Sequence, residues 1–157
     1  METEIIKKEK ATPEDIKKDI RTKILIAESE ISKLPGAMFG DCLPLKHTFA
    51  DGMYVREIFV PAGLLSVTKI HKYTHPFFVL KGEISILSEH GVHHIEAPFY
   101  GITKGGTKRI IYHHEDTVLI TVHATEETDL EKIEEQIIAK DFREMGIETD
   151  DVQIGDF

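Results

Sequence analysis

The sequence has one cysteine, no tryptophan and no long apolar run. With only Cys42, a disulfide within the chain is excluded and a reducing compartment is favoured; the thiol itself is expected to be a small buried side chain. No stretch approaches the ~20 apolar residues of a membrane-spanning helix, and the charged first residues lack the apolar core of a signal peptide. We therefore expect a cytoplasmic protein with no membrane partner.

Positive charge is also scarce. Lys and Arg number 19 against 28 Asp and Glu, a formal charge of −9 over 157 residues. Nucleic-acid affinity depends on clustered cations, so this balance argues against a nucleic-acid partner. It leaves room for a locally basic pocket.

Helix signals are confined to the two ends of the chain. Thr12 and Pro13 resemble an N-cap and first helical residue, and Pro35-Gly36 ends the pattern. The apolar positions that should form one face of this helix are Ile16, Ile20, Ala27, Ile31 and Leu34. A capping box from Thr128 to Glu131 predicts a second helix, and the acidic stretch from Glu148 is expected to be a mobile tail.

Between the helices the apolar pattern becomes short and strand-like. Glycine or proline separates most of the runs, and no helix pattern lies between them, which favours an antiparallel barrel or sandwich. The predicted strands are 53–60, 64–71, 76–80, 83–87, 92–97, 99–103, 108–112 and 117–123. We expect an N-terminal helix and lead-in over 1–52, a barrel over 53–124, and a C-terminal helix with the acidic tail over 125–157.

Nine histidines are the most informative feature of the composition. His71 and His75 on one continuous strand would lie roughly 13 Å apart, too far to share a metal ion. If residues 72–74 form a turn instead, His71 ends one strand and His75 begins the next, and their rings converge at the barrel mouth. Ordinary surface or wall positions are the simpler interpretation for the other histidines: solvated for His90, His93 and His94, at the barrel wall for His47 and His123, and capping a turn for His113 or His114.

The segment from Gly63 to Gly82 resembles the first motif of the cupin superfamily, which is glycine, five residues, His-x-His, three or four residues, glutamate, six residues and glycine. Residues 104–109 resemble the second motif, proline-x-glycine, two residues and histidine. The likeness covers roughly residues 53–124. The stretch from Pro44 to Thr117 also resembles small cupins encoded by tailed phages. The resemblance implies an all-β fold: one antiparallel double-stranded β-helix, the cupin jelly-roll barrel, here with an N-terminal and a C-terminal α-helix.

Cupin metals are typically held by three histidines and a glutamate. In this chain His71 occupies the second histidine position and His75 the glutamate position, whereas Lys69 and Arg109 stand where the other histidines are expected. A third ligand is then sought just beyond Arg109, at His113 or His114. The resulting metal-site hypothesis is His71, His75 and His114 holding one divalent transition metal, Zn, Fe, Ni or Mn.

The same substitutions support an anion site. Lys69 and Arg109, with His71 and His75, would form a cationic pocket in an acidic protein, and guanidinium groups bind phosphate or carboxylate well. Lys69, Arg109 and Tyr73 are the candidates for contacting a small polar or anionic molecule.

Three functions therefore remain open: a metal-dependent enzyme, a non-catalytic anion-binding module, and a phage virion or assembly protein with virion proteins as partners. The resemblance makes a homo-oligomer the default.

Overall fold

The computed structural model describes residues 10–150, so the expectations for residues 1–9 and 151–157 lie outside the described residues. This part of the chain has two helices and eleven strands, of which ten lie between the helices and one follows the second helix. The helices are α1, Pro13–Ser32, and α2, Leu130–Ile137. The strands are β1 Leu45–Ala50, β2 Met53–Val60, β3 Leu65–Val67, β4 Ile70–His71, β5 His75–Lys81, β6 Glu83–Ser88, β7 Gly91–Glu96, β8 Phe99–Thr103, β9 Ile110–His113, β10 Thr117–Ala124 and β11 Ile138–Ala139.

The strands form two facing sheets and one short pair, all antiparallel. The first sheet has the order β1-β2-β10-β5-β8, the second β3-β9-β6-β7, and β11 pairs with β4. Neighbours in these sheets are mostly far apart in the chain, which is the pattern of a jelly roll and not of sequential hairpins. The predicted all-β jelly-roll fold with a helix at each end is confirmed.

The core lies between the two sheets. Alternate residues of β5 and β6 point inward, and the main apolar cluster joins both sheets through Phe77, Val79, Ile84, Ile86, Ile95 and Ile111. Strand alternation with a period of two accounts for this arrangement. Gly82 joins β5 to β6 with φ of 101°, where a Cβ would lie 2.6 Å from the carbonyl oxygen of Asp116, so only glycine suits this turn.

Helix α1 starts as predicted, with a capping box between Thr12 and Asp15. Its predicted apolar face is wrong at both ends, because Ile16 is 52% and Leu34 59% exposed, and the most deeply buried side chains include Arg21 and Ile24 instead. The Arg21 guanidinium bonds the buried carboxylate of Glu89, at 2.7 Å. An ion pair fixes the helix to the barrel here, which a search for apolar periodicity does not detect.

The C-terminal helix also differs in detail. Its N-cap is Asp129, not Thr128, and the Asp129 carboxylate accepts from the backbone N–H groups of Glu131 and Lys132. The acidic stretch packs as far as Asp150, whose N–H donates to the Thr22 hydroxyl. The expectation of a mobile tail is therefore wrong for residues 148–150.

Three further differences concern single elements. Strand β1 lies within the segment assigned to the lead-in and pairs along its whole length with β2. The predicted strand 64–71 is divided into β3 and β4. Cys42 is exposed, because it lies in the irregular segment before β1 and not in the core. No helix of the described residues is long and apolar enough to span a membrane.

Candidate metal centre

Three histidines converge at one end of the barrel. The ligand nitrogens of His71, His75 and His123 lie within 4.8 Å of one another. The ring centroids of His71 and His75 are 4.4 Å apart, and that of His123 is 5.1 and 4.5 Å from them. The predicted turn between His71 and His75 is confirmed, since β4 ends at the first and β5 begins at the second.

Two backbone contacts hold the turn that carries His71. The carbonyl oxygen of His71 accepts from Gly106 N–H at 2.8 Å, and Lys72 N–H donates to Ile137 O at 2.7 Å. A Cβ on Gly105 would lie 2.6 Å from the Lys72 carbonyl oxygen, so the loop approaches this closely only because residue 105 is glycine. The glycines that resembled the second motif thus position His71.

His123 comes from β10, which lies between β2 and β5 in the first sheet. Thr121 is paired with Phe77, and extending this antiparallel register by two residues brings His123 opposite His75. From the sequence, His123 is expected at the barrel wall without a role in the site. β5 and β10 are far apart in the chain, and only their pairing in the sheet brings His123 beside the other two rings.

All three imidazoles are held neutral. Burial, reinforced by the neighbouring His75 and His123, lowers the pKa of His71 to about 3. Burial, reinforced by His75 and Arg56, lowers the pKa of His123 to about 4. Burial also lowers the pKa of His75, against the opposing effect of its bond to the Tyr73 backbone. Neutral rings keep a lone pair available for a metal ion at neutral pH.

Hydrogen bonds orient two of the rings. His75 Nδ1 donates to the Tyr73 carbonyl oxygen at 3.0 Å, which leaves Nε2 as the lone-pair nitrogen. His123 Nε2 lies 3.0 Å from the Thr121 hydroxyl oxygen. Bonds of this type at the far nitrogen are the usual support of metal-binding histidines.

A cavity of about 230 Å³ lies against this cluster. Its walls also include Tyr73, Thr74 and Ile137. A wider outer cavity of about 690 Å³ shares Tyr73 and Ile137 with it and adds Lys72, Glu126, Glu127 and Gln136. The two cavities therefore adjoin along these shared residues, next to the three rings.

Arg109 lies inside the barrel near the histidines. Its guanidinium carbon is 4.7 Å from the centroid of the Phe77 ring, the next inward-facing residue after His75. Its Nε is buried without a hydrogen-bond partner among the described residues, and burial lowers its pKa to about 10. A half-buried guanidinium with an unpaired Nε is a favourable place for an anionic ligand, which would supply the missing acceptor.

The other predicted site residues are distributed differently. Tyr73 lines both cavities and is 64% exposed. Lys69 lines neither, because its ammonium is drawn to Glu134 of α2 at 2.6 Å. The expectation that Lys69 faces the pocket is therefore corrected.

His114 is not part of the cluster. It follows β9 on the outer face of the second sheet, where its Nε2 lies 2.7 Å from the Ser85 hydroxyl oxygen. The alternative, His113, is fully buried and bonded to the hydroxyls of Ser66 and Thr117. His114, predicted as the third ligand, therefore lies away from His71 and His75, and the imidazole beside those two rings is that of His123.

Known proteins give a likeness of fold. No protein-family model and no curated protein sequence matches the chain. Similar solved structures include KdgF from Halomonas sp., 10% identical over 57% of this chain and 86% of that one, with a TM-score of 0.48. The cupin domain of Schizosaccharomyces pombe Cnp3 is 20% identical over 64% and 72%, with a TM-score of 0.47. A cupin-2 domain protein from Shewanella frigidimarina is 10% identical over 55% and 85%, with a TM-score of 0.45.

These values are too low to transfer a function, and the fold rests on the strand order itself. Two antiparallel sheets close around a common core, and a histidine cluster lies at one end. The strand order is that of a single jelly-roll barrel with an N-terminal and a C-terminal helix, the fold that the resemblance to cupins implied.

Proposed function

We propose that the barrel holds one divalent transition metal on His71, His75 and His123, and that it acts on, or captures, a small anionic molecule beside that metal. The observation that supports this is the set of three neutral, converging imidazoles. Three-histidine sites with an open position are typical of catalytic zinc, and imidazole also suits Fe, Ni and Mn.

The donor set fits a metal better than a structural histidine cluster. Burial is the main cause of the lowered pKa of each ring, so all three imidazoles offer a lone pair to a metal ion at neutral pH. A bound divalent ion would polarise a coordinated oxygen or lower the pKa of a coordinated water. The exposed phenol of Tyr73 is placed to contact a molecule entering through the outer cavity.

Arg109 argues for a negatively charged ligand. The described residues offer its Nε no acceptor, and its charge lowers the pKa of both His71 and His75. A carboxylate or phosphate near the barrel interior would satisfy the guanidinium and offset the charge of a metal. Non-catalytic anion capture is the second candidate, and the same Nε, without an acceptor among the described residues, favours it.

The test is metal content of protein purified without a histidine tag, measured by plasma mass spectrometry after loading with Zn, Fe, Ni or Mn. We expect the His71→Ala/His123→Ala variant to hold one equivalent less than the wild type for at least one of these metals. His93→Ala, an exposed histidine in β7, is the matched control and should hold the wild-type amount. Equal metal in the double variant and the wild type would exclude the centre.

Anion binding is tested by thermal unfolding of the wild type and of Arg109→Gln in the presence of inorganic phosphate or malonate. The wild type should be stabilised by at least one of these anions, and Arg109→Gln should lose that stabilisation. Stabilisation that persists after chelation supports capture without a metal. Stabilisation equal in Arg109→Gln and wild type would show that Arg109 does not bind the anion.

A further inference from the structure

A second group of metal-ligating side chains lies on the outer face of the barrel. Glu83 opens β6, His94 lies in β7 and His114 follows β9, so three adjacent strands of the second sheet each supply one. Ile84 and Ile86 of β6 point into the core, which places Glu83 and Ser85 on the opposite face. Ser85 is paired with His94, so the two share that face.

The three groups are already close. The ligand atoms of Glu83, His94 and His114 lie within 4.8 Å of one another. His94 Nε2 is 2.8 Å from Glu83 Oε1. The Ser85 hydroxyl lies between the two rings, 3.2 Å from His94 Nδ1 and 2.7 Å from His114 Nε2.

The backbone around the group is rigid. His114 N–H donates to the Glu83 carbonyl oxygen at 2.9 Å, which extends the β6–β9 ladder to these two residues. The Tyr112 ring meets the His114 ring edge-on, with centroids 4.8 Å apart. Side chains on neighbouring strands of a sheet are held more exactly than those on loops, so little reorganisation is needed to bring three ligands onto one ion.

The local charge favours a cation. A second carboxylate, Glu96, lies 4.0 Å from His94 Nε2. Within residues 10–150, the ion pairs of Glu83 and Glu96 are to His94 alone, and neither pairs with a lysine or arginine. Two carboxylates that form no ion pair with a lysine or arginine among the described residues thus lie beside two imidazoles, which favours a bound cation.

We propose that Glu83, His94 and His114 form a second divalent-cation site, of the Zn²⁺ class, on the outer face of the sheet and independent of the barrel centre. Two imidazole nitrogens and one carboxylate oxygen suit Zn²⁺ with bond lengths of about 2.0–2.2 Å. Binding requires side-chain rotations that release His94 from Glu83 and His114 from Ser85, so that all three ligand atoms can face one ion. The half-exposed face leaves the fourth position open to solvent.

Calorimetric titration of metal-free, tag-free protein with ZnCl₂ tests this site. The wild type should bind two equivalents, and the His94→Ala/His114→Ala variant should lose one, with Kd at that site raised at least about 100-fold, since outer-shell changes alone cost about 10–100-fold. Glu83→Gln should weaken the same site. His93→Ala is the control, because its partner Ile86 faces the core and His93 therefore lies on the other side of β7.

Superimposable isotherms for the wild type and His94→Ala/His114→Ala would overturn the proposal, provided circular dichroism shows both folded. The result is separable from that at the barrel. If only the outer site binds Zn²⁺, the wild type binds one equivalent. That equivalent is then lost in His94→Ala/His114→Ala and kept in His71→Ala/His123→Ala. The reverse pattern retains the barrel centre and excludes the outer site.

Discussion

At the scale of single residues, His113 shows how the barrel uses a histidine without exposing it. The side chain is 1% exposed, and both ring nitrogens meet hydroxyls, Nε2 that of Ser66 at 3.0 Å and Nδ1 that of Thr117 at 3.1 Å. Burial, reinforced by the neighbouring His114, lowers its pKa from 6.5 to about 4. A buried neutral imidazole makes stability depend on pH.

We expect His113 to destabilise the fold as the pH falls from about 6.5 to about 4. In this window the unfolded chain binds a proton that the folded chain does not, so protonation favours unfolding. The effect is at most about 2 kcal/mol between pH 7.5 and pH 5, at about 1.4 kcal/mol per pH unit. Urea denaturation of metal-free wild type and His113→Gln at both pH values measures it, and the variant should lose less stability on acidification.

His93→Gln is the control for this comparison, because it makes the same substitution at an exposed histidine in β7. Parallel losses in wild type and His113→Gln would show that His113 does not contribute to acid sensitivity.

Residue identity also marks the limit of the sequence analysis at the site. His71 and His75 were found because only four positions separate them and a turn brings them together. His123 was missed because nothing in its neighbourhood distinguishes it from a wall histidine. Its position depends on β10 pairing with β5, which is a property of the folded sheet. His114 was wrongly expected inside the barrel for the same reason, because the sequence does not show the order of the strands.

At the scale of elements, α2 and β11 close the open end of the histidine cluster. The helix runs directly into β11, where Ile138 pairs with His71. Ile137 lines the inner cavity and accepts from Lys72 N–H. The stability of this short helix therefore bears on the position of His71.

Removing the α2 N-cap should loosen that closure. Asp129→Ala removes the carboxylate that accepts from two backbone N–H groups, and we expect a loss of about 1 kcal/mol in the free energy of unfolding. The melting temperature should fall by about 2–4 °C. Hydrogen exchange of the Lys72 amide should be faster than in the wild type.

Thr128→Ala is the matched control, since its hydroxyl makes no hydrogen bond within residues 10–150. Equal exchange rates of the Lys72 amide in wild type and Asp129→Ala would show that the stability of α2 does not affect the turn at His71. The predicted capping box at Thr128 fails for a physical reason: the neighbouring Asp129 is the stronger acceptor for the free N–H groups, and Glu127 bonds the backbone of both residues.

At the scale of the whole molecule, α1 is fastened to the barrel by charge. Arg21 and Glu89 bond each other with side chains 8% exposed, and Arg21 also donates to the Glu148 carbonyl oxygen. Lys108 similarly pairs with Glu28 of the helix, at 2.8 Å. The docked helix is thus part of the domain and not a free arm, which leaves less of it available for assembly contacts.

Truncating this buried pair should be costly. Arg21→Ala leaves the Glu89 carboxylate buried without its partner, and we expect a loss of about 3–5 kcal/mol in the free energy of unfolding. Lys23→Ala removes an exposed pair with Asp19 on the same helix and should change stability by less than about 1 kcal/mol. Guanidinium denaturation measures the stability of both variants. Similar midpoints for the two would show that the pair of Arg21 and Glu89 does not fix α1 to the barrel.

The fold class was predictable because glycine and proline mark most strand ends and the strands alternate. The order β1-β2-β10-β5-β8 was not, since apolar spacing records which residues are buried but not which strands are neighbours. The polar buried face of α1 was not predicted for the same reason, since Arg21 is buried only because Glu89 lies opposite it. Whether the protein forms a homo-oligomer, and whether it joins a virion, stay predictions.

The contact between α1 and residues 148–150 joins the start of the described chain to its end. Asp150 N–H donates to Thr22, and Arg21 donates to Glu148. On a ribosome, the helix is therefore synthesised long before the residues that complete its docking site. Contacts at such sequence separation slow folding, so we expect α1 to dock late, after the barrel has closed, and newly made chains to expose its binding surface on the barrel in the interval.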